Sequence, residues 1–64
     1  MLDNNTYNLM EQMLEESKSL WRIKTSYKDD AAGCDECIAF WDKLLKDKGD
    51  HIKELERLVK SHLR

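Results

Sequence analysis

The second half of the chain sets the strongest limit on its fold. There Cys34, Ile38, Trp41, Leu45, Lys48, Ile52, Leu55, Val59 and His62 succeed one another in alternating steps of four and three. Side chains at that spacing line one stripe of an α-helix, so the run predicts a single helix over about residues 34–63 with a seam turned toward a packing partner. The phase carries straight across Gly49, from Leu45 to Ile52, whereas a turn would reset it. Gly49 therefore reads as an interior glycine that costs about 1 kcal/mol relative to alanine. The competing arrangement is a monomeric three-helix bundle broken at Gly49, since Lys48-Gly49-Asp50 could end one helix and cap another.

The first half predicts a helix over about residues 5–28. Asp3, Asn4, Asn5 and Thr6 offer caps, and beyond them Tyr7, Met10, Leu14 and Trp21 recur at helical spacing, flanked by Leu9, Met13, Leu20 and Tyr27. Asp29 and Asp30 oppose the dipole at the end of one helix and favour the start of the next, which places the turn at about 29–33. Gly33 is the residue there suited to positive φ. With no proline, two glycines and Val59 as its one valine, the chain is a poor candidate for a sheet. The fold expected is all-α: an antiparallel helical hairpin of two long helices.

Charge agrees with that topology. Residues 1–16 carry Asp3, Glu11, Glu15 and Glu16 without a base, and residues 17–28 carry Lys18, Arg22, Lys24 and Lys28 without an acid. Folding back sets the acidic block beside Lys53, Arg57 and Lys60, and the basic block beside Asp35, Glu36 and Asp42. Exposed pairs are worth only a few tenths of a kcal/mol, so they select orientation more than they stabilise.

The apolar stripes are wider than a two-helix seam. Cys37, Phe40, Leu44, His51 and Leu58 extend the second stripe on one flank, Leu63 lies beyond its other edge, and the first stripe spans Leu9 and Tyr27 round to Tyr7. A chain this short buries only about 60% of its unfolded surface as a monomer. Both points lead to a homodimer in which two hairpins form a four-helix bundle around Met10, Leu14, Trp21, Ile38, Trp41, Leu45, Ile52, Leu55 and Val59. Ser17, Lys24 and Lys48 interrupt the stripes. Ser17 reads as room for Trp21 or Trp41, and the lysines as stems laid on the core with their ammonium groups in water. Alternatively, a buried lysine pairs with a carboxylate of the partner subunit and fixes register.

One motif is chemically suggestive. Gly33-Cys34-Asp35-Glu36-Cys37 puts two thiols on one face at the start of a helix, where they could form a reversible disulfide or supply half of a four-thiolate site. The neighbouring Asp29, Asp30, Asp35 and Glu36 are expected to raise the thiol pKa values. The plainer reading has both cysteines sealing the turn end of the core beside Trp21, Tyr27, Phe40 and Trp41. His51 lies ~21 Å along the helix from Cys37 and ~16 Å from His62, so no histidine completes a site within one chain. No cofactor is expected, with zinc or an iron–sulfur cluster entering only through an intersubunit Cys34/Cys37 site. The Glu-x-x-His pattern of di-iron bundles is missing, as are phosphate loops, the zincin motif and a serine-nucleophile motif, so no catalytic residue is assigned.

Net charge of −2 and a pI near 5.6 disfavour nucleic acid as a partner. Lys46, Lys53, Arg57, Lys60 and Arg64 nevertheless share one face of the second helix, diluted by Asp50, Glu54 and Glu56. The N-terminus resembles no secretory signal, and no apolar run nears the ~20 residues of a membrane span, so a cytoplasmic location without membrane contact is expected. In that reducing setting a structural disulfide is not expected. Together these features describe a small non-enzymatic protein that works by self-association and protein–protein interaction, as scaffold or accessory subunit. The alternatives are thiol redox or metal binding through Cys34 and Cys37, and regulation through the basic face of the second helix, which would bind nucleic acid or an acidic partner.

Overall fold

Helix formation starts at Asp3. Its extended backbone (φ −74°, ψ 167°) lets Oδ1 accept the Thr6 amide at 2.7 Å. A computed structural model describes residues 3–63. In it α1 covers Asn4–Arg22, a π-helical segment follows over Ile23–Tyr27, and one last turn, α2, covers Lys28–Asp30. These three form one continuous rod, the first arm. α3, the second arm, runs over Asp35–His62. Among the described residues there is no strand.

The turn occupies residues 31–34, slightly later than the expected 29–33. Asp29 and Asp30 stay in the last helical turn, where both are exposed and water screens their unfavourable position on the dipole. Gly33 takes φ +92°, the one positive φ among the described residues, and the Cys34 amide donates to the Ala31 carbonyl at 2.9 Å. In the π-turn the Lys28 amide reaches back five residues to the Ile23 carbonyl, and the Thr25 hydroxyl donates at 2.8 Å to the Trp21 carbonyl. The wider turn holds back the helical phase, so that Tyr27 and Lys28 both reach the second arm.

Cross-arm pairs are nested, as an antiparallel hairpin requires: Lys28 with Asp42, Glu16 with Lys48, and Asp3 within the field of His62. α3 passes Gly49 without interruption, which removes the three-helix alternative; a Cβ there would meet nothing within 4 Å.

The second-arm seam is the expected one. Ile38, Trp41, Leu45, Lys48, Ile52 and Leu55 are half-buried and Val59 is buried. The first-arm seam is not. Thr6, Leu9, Met13, Glu16, Leu20 and Ile23 turn inward, with Thr6 and Ile23 each 1% exposed. Met10, Leu14 and Trp21, read from the sequence as members of a dimer core, face solvent in the single hairpin together with Tyr7. Polar side chains at the seam positions hide it: Thr6 is satisfied by Asp3, and Glu16 by Lys48.

The broad apolar stripes also part company. At ~100° per residue, Gln12 lies roughly half a turn from Met10 and Leu14. Gln12 and Glu16 share a groove with His51, Leu55 and Leu58. The first arm's ridge therefore emerges on one face of the hairpin, and the Cys37, Phe40, His51, Leu58 flank of α3 on the other. The molecule is correspondingly thin, 48 × 15 × 13 Å, with a radius of gyration of 14.5 Å. A compact chain of this length has about 11 Å.

Candidate functional site

Cys34 stands outside the second helix as its N-cap, at φ −119° and ψ 92°, and the Cys37 amide donates to its sulfur at 3.4 Å. The Cys37 thiol donates to the same sulfur, and these two bonds, thiol first, hold Cys34 below the ordinary thiol range. The same contact pushes Cys37 up, because its proton is engaged by Cys34 and because desolvation and the Cys34 charge both disfavour its thiolate. The expectation that the surrounding acids raise both thiols fails for Cys34, where local hydrogen bonding decides the direction.

Both thiols are free and exposed, so they do not seal the core. One turn inside, the half-buried Trp41 ring lies 5.2 Å from Tyr27 and 5.6 Å from Phe40, centroid to centroid, and both of those rings are exposed. Trp21 belongs to neither ring pair and is 66% exposed. Two shallow depressions adjoin Cys37. One, of about 290 Å³, is lined by Glu36, Cys37, Phe40 and Trp41; the other, of about 230 Å³, by Tyr27, Asp30, Ala31, Cys37 and Trp41. No group of three His, Cys, Asp or Glu side chains among the described residues is placed to hold a metal ion. A metal at Cys34 and Cys37 would need further ligands from a second molecule.

A second polar cluster lies mid-seam. Glu16 Oε2 accepts from Lys48 Nζ at 2.7 Å, and His51 Nδ1 lies 3.0 Å from Oε1. The Lys48 hydrogen bond is the main reason the Glu16 carboxyl sits below its ordinary value, against desolvation and with help from His51. Lys48 is thus not laid out into water; it pairs with a carboxylate of its own chain. Lys24 and Ser17 are exposed, and the Ser17 hydroxyl donates to the Met13 carbonyl at 2.9 Å.

The basic face is largely answered within its own helix. Lys46 pairs with Asp50, Arg57 with Glu54 and Lys60 with Glu56, so Arg57 and Lys60 do not cross to the acidic half of the first arm. The Glu54–Arg57 contact lowers the pKa of the acid and raises that of the base. Arg64, the last member expected on this face, lies outside the described residues. Among the described residues no helix is long and apolar enough to cross a membrane.

Sequence reasoning did not single out Ile23, took Thr6 only as a cap candidate, and did not join Lys48 to Glu16 and His51. Ile23 was legible in principle, because it continues the Leu9, Met13, Leu20 series. Set against protein-family models, curated proteins and solved structures, the chain matches none of them.

Proposed function

We propose that this protein works by association: it is a small, non-enzymatic, cytoplasmic hairpin whose first arm docks on a second copy of the chain. The observation that carries the reading is the outward ridge of Tyr7, Met10, Leu14 and Trp21. Among the described apolar residues only Ile23 and Val59 are buried in the single hairpin. Each large apolar side chain that becomes fully covered adds about 1.5–3 kcal/mol, so a ridge packed on its twofold mate offers what a thin monomer lacks. With Ser17 between Leu14 and Trp21 the ridge advances in steps of three and four, the spacing that lets two helices interlock. In such a pair two hairpins form a four-helix array, with the first arms at the centre and the second arms outside.

Sedimentation equilibrium across a concentration series tests this. The wild-type chain is expected to move from 7.6 kDa to twice that mass as it is concentrated. Leu14→Glu is expected to stay at 7.6 kDa while keeping its helical circular dichroism. A wild-type chain that stays at the single-chain mass at every concentration overturns self-association, and a Leu14→Glu chain that dimerises as well as wild type removes the ridge as the interface.

A further inference from the structure

The thiol face is independent of the ridge, lies on the other side of the hairpin, and supports a chemistry that association does not use. Cys34 is held outside the helix with its sulfur over the first turn, accepting the Cys37 amide at 3.4 Å. Residues three apart on a helix bring their Cβ atoms to about 5–6 Å, and the non-helical backbone of Cys34 gives the freedom to close the remaining gap to a disulfide. Both sulfurs are open to solvent, and the depressions on either side of Cys37 are walled by Tyr27, Phe40 and Trp41. Around them the charge is of one sign: Asp29, Asp30, Asp35 and Glu36 are exposed, while Lys28 is occupied by Asp42.

We propose that Cys34 and Cys37 form a dithiol–disulfide couple that reduces small organic disulfides bearing amines, with Cys34 as the attacking thiol and Cys37 as the resolving one. The apolar walls give the substrate a footing, and the acidic rim attracts its ammonium groups and repels carboxylates. Cys34 loses its proton to solvent and its thiolate attacks one substrate sulfur. The substrate S–S bond breaks, the first thiolate leaves and takes a proton from water, and a mixed disulfide remains on Cys34. Cys37 then gives its proton to solvent and attacks the Cys34 sulfur, which expels the second substrate thiolate and closes the Cys34–Cys37 bond. Two electrons pass from the chain to the substrate disulfide, which leaves as two thiols. The roles follow from the geometry: Cys34 is the cap of the helix and its sulfur accepts the Cys37 amide at 3.4 Å, a contact that stabilises the Cys34 thiolate, whereas Cys37 lies within the helix.

Mass spectrometry of the reduced chain mixed with cystamine tests the proposal, with oxidised glutathione as the anionic comparison. The wild-type chain is expected to lose two hydrogens and keep no adduct. Cys37→Ser should retain one half-cystamine on Cys34, and Cys34→Ser should react several-fold more slowly than Cys37→Ser. Cystamine should react several-fold faster than oxidised glutathione at low salt after allowance for their intrinsic rates with free cysteine, and that advantage should shrink as salt is raised. Circular dichroism confirms that both variants remain helical, as expected for exposed positions. Adducts persisting on both cysteines of the wild-type chain overturn the couple. Cys34→Ser reacting as fast as Cys37→Ser overturns the assignment of roles, and no preference for cystamine overturns the substrate class.

Discussion

On the first arm, Thr6, Leu9, Met13, Glu16, Leu20 and Ile23 advance in the same steps as Tyr7, Met10, Leu14, Ser17 and Trp21, displaced by one residue, yet the first set meets α3 and the second meets water. By size and apolarity alone the two sets are evenly matched, because each holds four large apolar side chains: Leu9, Met13, Leu20 and Ile23 inward, and Tyr7, Met10, Leu14 and Trp21 outward. What selects the inward set is satisfaction of polar groups. Thr6 is capped by Asp3, and Glu16 finds Lys48 directly across the seam, so neither is stranded when covered. A second apolar stripe is left over, and an exposed stripe of that kind has use chiefly at an interface.

The contrast can be broken first at Ile23. Ile23→Ala should cost the hairpin about 2–4 kcal/mol, the range for emptying a well-covered aliphatic site, read from urea denaturation followed by circular dichroism. A loss no greater than that of Trp21→Ala would mean that the seam has been misplaced.

Glu16→Ala comes next, at about 1–3 kcal/mol, because it leaves Lys48 half-covered without its carboxylate. Lys48→Met in the same background should restore part of the loss by removing the orphaned charge. The pair also carries a pH signature. Glu16 is held below its ordinary 4.5 by Lys48, so its contribution is complete above that pH and is lost as pH falls through it toward the lowered folded value. An acid titration of stability should show this loss in the wild-type chain and a shallower one in Glu16→Gln.

Gly49→Ala should stabilise the hairpin by about 0.5–1 kcal/mol, since α3 is regular there and the added methyl meets nothing. A destabilised variant would restore the case for a break in the second helix. Smallest of all, Trp21→Ala should shift the stability of the dilute, single-chain hairpin by no more than about 0.5 kcal/mol, as for a surface site without special contacts.

Much of the architecture was readable from the residues. The unbroken spacing from Cys34 to His62 announces one long helix through Gly49, Gly33 announces the turn, and opposing charge blocks announce the antiparallel return, of which Lys28–Asp42 is realised. The first-arm seam was not, because periodicity cannot separate two stripes one residue apart when the inward one has polar members satisfied by tertiary partners. The π-turn was also hidden, since no spacing over Ile23–Tyr27 distinguishes it from regular helix. The thiol pair was legible as a motif, whereas the direction of its asymmetry required knowing that Cys34 stands at the cap and receives both groups of Cys37.

The central claim is that the outward ridge is the surface used for association while the seam closes each hairpin by itself. Acrylamide quenching of Trp21 fluorescence in a Trp41→Phe chain, followed from dilute to concentrated protein, tests it most directly. Trp21 is predicted to be freely quenched when dilute and protected when concentrated, while Trp41 in a Trp21→Phe chain keeps the same partial protection throughout. Quenching of Trp21 that never changes with concentration, or protection of Trp21 already complete in the dilute single chain, would contradict the account.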